Sequence, residues 1–444
     1  MNVQLSDHFS YGKLIKFTLP SIAMMIFSSI YGIVDGYFVS NFAGSTPFAA
    51  VNFIFPFIMI ISTVGFMFGT GGTAIVAKTL GENDREKANE YFSLFTYISF
   101  GLGVVFSILA IIFIRPIATF LGASGALLEN AVIYATILLI VMPFFILQLL
   151  FQSFFVTAEK PQLGFIVIVI AGITNIILDA VLITLLPYEY KLIGAAVATA
   201  VSQLLGGGLP LIYFFSKNSS LLRLGKTKFY FKATIKALVN GSSEFMSNVS
   251  MSLVGMLFNI QLLKYAGENG VSAYGVMMYV SMVFNSAFIG YSIGTAPIIG
   301  YNFGAKNNKE LKNVLRKSIV FTIIVGLAMV VFAELLNVPL SKIFVGYNKE
   351  LLDLTVSGFK IFALCFLFMG FAIFGSGFFT ALSDGLISAI ISFLRTMVFE
   401  VLAVLSLPLL IGIDGIWYSV VIAEFMACVL SILFIIIKKK RYNY

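Results

Sequence analysis

The sequence predicts an all-α integral membrane protein. Of its 444 residues, 59% are hydrophobic and only 11% are charged, whereas soluble proteins average about 25% charged residues. Apolar runs of about 20 residues or more recur along the whole chain, and a helix of that length crosses a bilayer of about 30 Å. The runs are continuous rather than alternating between polar and apolar residues, which argues against a membrane β-barrel.

Twelve helical spans are predicted from the apolar runs between charged or Gly/Pro-rich breaks. They are residues 13–41, 48–79, 91–115, 127–157, 161–186, 192–216, 235–265, 271–303, 311–336, 351–382, 385–411 and 415–437. A basic stretch, "SKNSSLLRLGKTKFYFKATIK", separates the first six from the last six. We therefore predict an N-terminal six-helix lobe at 1–216, a cytoplasmic basic linker at 217–234 and a C-terminal six-helix lobe at 235–444.

The distribution of positive charge predicts the orientation, because lysine and arginine accumulate in cytoplasmic loops. With the N-terminus inside, 21 of the 28 lysines and arginines lie in cytoplasmic segments, six lie outside, and Arg395 alone lies within a span. Both termini are therefore predicted to be cytoplasmic. This topology explains the formal net charge of +8, so no nucleic-acid partner is expected.

The two sets of six spans resemble one another. A shift of 223 residues aligns "GGTAIVAKTLGENDREKAN" with "GTAPIIGYNFGAKNNKELKN" and places Gly81 on Gly304. The same shift places Thr157 on Thr380. Each set contains an even number of spans, so both are inserted the same way up. A pseudo-two-fold axis along the membrane normal is therefore predicted to relate the two bundles.

Ionisable residues are few at bilayer depth in the first half. Each costs at least about 2.5 kcal/mol near a helix centre, and such residues usually mark a pathway or a coupling site. Asp35 lies in span 1, and Asp179 in span 5 shares a helical face with Asn175. Helical rise places Asp179 about 27 Å above the inner end of span 5 and Thr199 about 12 Å below the outer end of span 6. These four residues are predicted to meet in the outer half of the bilayer.

The oxygen atoms of these four residues suit a proton or a hard monovalent cation such as Na⁺. Two neighbouring carboxylates also resist simultaneous ionisation, so the pair can hold one proton. We predict a coupling-cation site here. The alternative is a hydrogen-bonded clamp between helices, which such residues also form in membranes.

The second half carries different polar residues on a related scaffold. Glu244 is about 12 Å up span 7, whereas Arg395, Glu400 and Glu424 lie near mid-membrane. We predict that these four residues bind a substrate, with neutralisation of one glutamate by Arg395 as the alternative. The surrounding spans are rich in Met and Phe, as in "YGVMMYVSMVF". Such surfaces adapt to varied cationic ligands, or simply face lipid and core.

A proline interrupts the first span. Pro20 removes a backbone hydrogen bond fifteen residues before Asp35. It is predicted to be either a hinge or a static kink.

Together these features resemble the multidrug and toxic compound extrusion (MATE) family of secondary transporters, and in particular its bacterial MepA/DinF-like branch. The resemblance covers nearly the whole chain. It rests on "LPSI" and "VDGYFV" in span 1, the glycine-bounded ends of spans 2 and 8, the N-x-x-x-D of span 5 and "GAAVAT" in span 6. It implies export of cationic, amphipathic small molecules by antiport with H⁺ or Na⁺, with no other cofactor. We expect a monomer, surrounded by lipid, in the bacterial inner membrane.

The resemblance also assigns residues. The family's cation site in the N-terminal lobe matches Asp35, Asn175 and Asp179, with Thr199 as a fourth member. An acidic residue of span 7, associated with substrate or cation binding, matches Glu244. The family's acidic residue of span 10 has no counterpart in "GFKIFALCFLFMGFAIFGSGFFTA". This departure favours coupling through the N-terminal lobe.

Other functions fit less well. A lipid-linked oligosaccharide or lipid flippase of similar architecture would need several basic residues for a pyrophosphate, and only Arg395 lies at mid-membrane. A channel or receptor would form one bundle without two-fold repetition. An enzyme would need a nucleophile–base or metal constellation, but the only histidine, His8, precedes the first span. We predict no enzymatic activity and no metal site beyond Na⁺ at the coupling site.

Overall fold

A computed structural model describes residues 3–444, and within this range the chain contains helices and no β-strand. Helices satisfy every interior backbone group locally, as a segment in lipid requires. The helices of the first half are α1 (Tyr11–Ala43), α2 (Ser45–Gly81), α3 (Arg85–Phe120), α4 (Gly125–Thr157), α5 (Pro161–Leu185) and α6 (Lys191–Phe215). The last five residues of α1, Val39–Ala43, form a π-helical turn.

The second half begins with a 74-residue helical element, Phe231–Gly304, that bends at Gly267. The φ of +60° and ψ of −151° at this residue lie outside the helical region and are readily adopted only by glycine. The bend separates α7 (231–266) from α8 (268–304). The remaining helices are α9 (Asn308–Val345), α10 (Lys349–Ala381), α11 (Gly385–Ile411) and α12 (Ile413–Tyr442). The eleven long apolar helices thus provide twelve spans, which confirms the predicted all-α membrane fold.

Several helices extend beyond the predicted spans. Span 3 was expected to start at residue 91, but α3 starts at Arg85, where the Asp84 side chain accepts a hydrogen bond from Lys87 N (3.1 Å). Span 9 was expected to end at residue 336, but α9 continues to Val345. Hydropathy detects the part of a helix that lies in lipid, whereas capping decides where the helix ends.

The helices form the two predicted bundles. In the first, α2 packs against α3 and α4, α4 against α6, and α1 against α5. In the second, α12 packs against α10 and α11, and α9 packs against α10. The connection between them follows α3: Arg85 Nη2 donates to Ser220 O (2.9 Å) and the Tyr97 hydroxyl donates to Gly225 O (2.9 Å). These bonds hold the linker against the first bundle.

The segment before α1 and the C-terminal residues lie on one face, which we call the terminal face. Leu5 and Phe9 share a hydrophobic cluster with Tyr442 and Tyr444. The bundles meet near this face through glycines of α2 and α8. A Cβ atom added at Gly81 would lie 2.0 Å from the carbonyl oxygen of Tyr301, and one at Gly304 would lie 2.0 Å from that of Lys78. Only glycine permits such close helix contact.

The same kind of contact recurs about 21 Å deeper by helical rise, where Met67 precedes Gly81 in α2. There, a Cβ atom at Gly241 of α7 would lie 2.1 Å from the carbonyl oxygen of Met67 in α2. In the half of the helices that lies far from the terminal face, a Cβ atom at Gly36, Gly255 or Gly275 would meet no atom of residues 3–444 within 4 Å. The glycine contacts between the bundles thus close the protein on its terminal face.

The segment before α1 connects the two bundles on this face. Leu5 N donates to Glu159 Oε1 (2.6 Å) in the first bundle. Phe9 N donates to Glu310 Oε1 (2.9 Å) in the second, and His8 Nδ1 lies 2.7 Å from Glu310 Oε2. Burial raises the pKa of the Glu159 carboxyl, although the bond from Leu5 acts in the opposite direction.

Replacing Gly81 with alanine is expected to destabilise the protein, because the added methyl would collide with the backbone of α8. Overpacking of this kind costs about 1–3 kcal/mol. Thermal unfolding in detergent measures the effect as a lower Tm. Gly101→Ala in α3 is the matched control, because a Cβ atom there meets no atom of the described chain within 4 Å. Equal Tm values for the two variants would contradict the close packing of α2 on α8.

Candidate functional site

Four predicted residues converge between α1, α5 and α6. The Asp35 carboxyl of α1 faces Asp179 and Asn175 of α5 and Thr199 of α6. Asn175 is 1% exposed and Asp179 is 0% exposed, because one turn of α5 separates them and α1 covers that face. Helical spacing therefore predicted this juxtaposition from the sequence.

The polar atoms of this cluster face one another without forming hydrogen bonds of normal geometry. Both carboxylate oxygens of Asp179, both amide atoms of Asn175 and Oδ1 of Asp35 are buried with no hydrogen-bond partner among residues 3–444. Neither aspartate forms an ion pair with a basic side chain of that range. Leaving buried polar atoms unpaired is costly. The oxygen atoms of the cluster are therefore suited to binding a proton or a cation that prefers oxygen ligands.

Two tyrosines beside the acidic cluster were not predicted from the sequence. Tyr134 of α4 is buried and faces Asp35, Asp179 and Thr199. Tyr31 lies one turn before Asp35 on α1 and faces Gln148 of α4. Tyr31 could have been predicted from the sequence, because it precedes Asp35 by four residues and so shares its helical face. Nothing marks Tyr134, because the chain has 19 tyrosines and its place beside α1 depends on helix packing.

In the second bundle, Arg395 of α11 forms a two-point ion pair with Glu424 of α12. Arg395 Nη2 lies 2.7 Å from Glu424 Oε1 and Nε lies 2.9 Å from Oε2. The two side chains are 15% and 2% exposed. Glu400 lies close enough to interact with both charges. Arg395 thus neutralises one glutamate, as the alternative prediction proposed, and leaves Glu400 as the third member.

Glu244 lies apart from this trio. It is half-buried on α7, and its carboxylate forms no hydrogen bond with residues 3–444, although its backbone carbonyl accepts one from Asn248 Nδ2 (2.9 Å). The four predicted substrate-binding residues therefore form one cluster of three and one separate carboxylate.

Pro20 does not end the first helix, because α1 continues through it from Tyr11 to Phe38. Just after this proline, α1 packs closely on α8: a Cβ atom at Gly290 would lie 2.6 Å from Ile22 Cα. Whether Pro20 acts as a hinge stays a prediction.

Comparison with known proteins decides the family. A sequence model of the MatE family matches residues 20–181 and 245–405, one range in each bundle. The chain belongs to the MatE family. Membership makes it a multi-pass membrane transporter rather than an enzyme. The two ranges also agree with the repeat found in the sequence.

Individual MATE relatives cover nearly the whole chain. This chain is 27% identical to "Multidrug export protein MepA" of Staphylococcus haemolyticus (strain JCSC1435), and the match covers 96% of this chain and 93% of that protein. The protein of the same name from Staphylococcus aureus (strain MSSA476) is 24% identical, over 97% of this chain and 94% of its own. The predicted resemblance to MepA-like members is confirmed.

A similar fold occurs in a solved structure described as the "outward-facing conformation of a multidrug resistance MATE family transporter of the MOP superfamily". The two structures superimpose with a TM-score of 0.93 at 23% sequence identity, and the match covers 100% of this chain and 98% of the solved one. This likeness supports the arrangement of twelve helices in two bundles.

Replacing Arg395 with glutamine is expected to destabilise the protein by about 3–5 kcal/mol, because it leaves Glu424 buried without its countercharge. Unfolding by sodium dodecyl sulfate in mixed micelles measures this change. The double variant R395Q/E424Q removes both charges and should recover at least half of the lost stability. If the double variant is no more stable than R395Q, the ion pair does not provide the stabilisation described here.

Proposed function

We propose that this protein exports cationic, amphipathic small molecules in exchange for an inward-moving H⁺ or Na⁺. The observation that carries the proposal is the pair formed by half-buried Asp35 and buried Asp179, whose carboxylates have no basic partner among the described residues. Two ionised carboxylates cannot stay adjacent in a low-dielectric site without a countercharge. The pair must therefore bind a proton or a cation and can release it when its surroundings change. The MepA relatives are named as multidrug export proteins, which supports this proposal.

We propose that α1 transmits cation occupancy to the rest of the protein. Asp35 lies in the half of α1 far from the terminal face, where it faces α5. Closer to the terminal face, the same helix contacts the second bundle: the Ser29 and Ser286 hydroxyls are hydrogen-bonded, and Gly290 packs on Ile22. A cation that draws α1 towards α5 would shift these contacts, with bending at Pro20. Such a shift would change the balance between outward-facing and inward-facing arrangements.

We propose that Glu400 and Glu244 attract the substrate's positive charge, while Arg395 holds Glu424. Methionines with exposed side chains line α7 and α8; they are Met251, Met256, Met278 and Met282. Unbranched, polarisable side chains adapt to ligands of different shape. This combination of fixed negative charge and adaptable apolar surface suits amphipathic cations.

We place the terminal face in the cytoplasm of a bacterial cell and the protein, as a monomer, in the inner membrane. The excess of lysine and arginine in the segments on that face supports this orientation. The glycine contacts on the same face then correspond to an outward-facing state. The flippase alternative is less well supported, because the one basic residue at mid-membrane is ion-paired with Glu424.

An imposed ion gradient is expected to drive export from proteoliposomes. We expect efflux of a fluorescent organic cation such as ethidium under one of two applied gradients, of Na⁺ or of pH, because the oxygen atoms of the acidic cluster suit Na⁺ or H⁺. The gradient that drives efflux identifies the coupling ion. Accumulated dye that does not respond to either gradient would contradict antiport and would favour tests with lipid-linked substrates.

Asp179→Asn is expected to reduce gradient-driven efflux to the level of protein-free liposomes, because the neutral amide cannot exchange a proton or balance a cation. The amount of monodisperse protein should match that of the wild type. Glu350→Gln is the matched control, since Glu350 is an exposed carboxylate at the start of α10. Undiminished efflux by D179N would rule out the coupling role of this site.

A further inference from the structure

Two cavities lie side by side on the terminal face, where α7 begins. The larger, of about 450 Å³, lies between the first turns of α7 and the connection from α10 to α11. The smaller, of about 240 Å³, lies between α7, the end of α2 and the start of α3. Lys232 and Lys236 of α7 line both cavities. The cavities therefore share a basic wall that reaches from the second bundle to the first.

The basic side chains come from both bundles. Lys78 of α2 and Lys87 of α3 line the smaller cavity together with Lys232 and Lys236. Lys78 Nζ lies 3.6 Å from Glu82 Oε1, so one of the four charges is balanced locally. The remaining three lysines make the cavities positive.

The acidic residue of the larger cavity does not cancel this charge. Asp384 Oδ2 accepts a hydrogen bond from the Tyr442 hydroxyl (2.5 Å) and lies 3.8 Å from Arg441 Nη1. Both partners belong to α12 and contact Oδ2, and the Arg441 guanidinium offsets the negative charge of the carboxylate. An anionic ligand would therefore meet Lys232 and Lys236 as its partners.

The larger cavity also has an apolar wall. Phe231 is 64% exposed and Leu386 is 66% exposed, and Ile235 and Val239 are exposed beside them. A water-soluble anion would gain nothing from large apolar side chains at the mouth of its site. A ligand that has both a charged group and an apolar chain would use both walls, and basic pockets between helices at the membrane surface bind anionic lipid headgroups.

We propose that these two cavities bind the phosphate headgroup of an anionic phospholipid, with its acyl chains against Phe231 and Leu386. The lysines belong to both bundles, so one headgroup bridges them on the terminal face. Occupancy therefore stabilises the closed arrangement that the glycine contacts of α2 and α8 produce. This site is separate from the acidic cluster, and its test does not depend on transport.

The test uses the delipidated full-length protein in detergent, titrated with dioleoylphosphatidylglycerol or dioleoylphosphatidylcholine while Tm is recorded. Phosphatidylglycerol is expected to raise Tm and phosphatidylcholine is not. In the variant K232Q/K236Q, the lipid concentration for half of the Tm shift should rise by roughly tenfold or more, because each lysine contributes to headgroup attraction. The control K226Q/K228Q removes the same charge from exposed linker positions that line neither cavity and should behave as the wild type.

Three results would overturn the proposal. An unchanged response in K232Q/K236Q would exclude these lysines, and an equal loss in K226Q/K228Q would indicate only general attraction between charges. Equal stabilisation by glycerol 3-phosphate at the same concentration would indicate a site for a soluble anion rather than a lipid. If the double variant is not monodisperse on size exclusion, the single variants K232Q and K236Q each provide the same test.

Discussion

The constraint that organises this protein is the lack of hydrogen-bonding solvent in the bilayer core, where an unpaired polar group is costly. The backbone meets it by remaining helical. Buried hydroxyls meet it by donating to a carbonyl one turn earlier, as Thr18 does to Leu14 O (2.9 Å) and Thr322 does to Ser318 O (2.9 Å). Asp179 is an exception, because both of its carboxylate oxygens are buried without such a partner among residues 3–444.

The two bundles treat buried charge in different ways on related scaffolds. In the second bundle, Arg395 supplies a fixed countercharge to Glu424 at 2.7 Å, and such a pair is stable only when both partners are present. In the first bundle, Asp35 and Asp179 have no basic partner within the described chain. One arrangement is suited to holding a structure in place and the other to exchanging a charge. This asymmetry is consistent with coupling through the first bundle.

Contacts between the bundles concentrate on the terminal face. Glycines let α2 and α8 approach closely there, and the N-terminal segment links Glu159 of the first bundle to Glu310 of the second. None of these contacts involves the acidic cluster directly. The helix α1 joins the two regions, because it carries Asp35 at one end and packs on α8 nearer the other. Closure of the terminal face and occupancy of the cluster can therefore be coupled through a single helix.

Much of the architecture was determined by the sequence alone, because lipid requires long apolar helices and a four-residue spacing fixes one helical face. The twelve spans, the two bundles and the pairing of Asn175 with Asp179 followed from these rules. Other features depended on how distant helices pack. Tyr134 joins the acidic cluster, Arg395 selects Glu424 over Glu400, and the lysines of three helices share one basic wall. Local sequence patterns do not specify which helix faces pack together across a bundle, so only the tertiary structure decided these contacts.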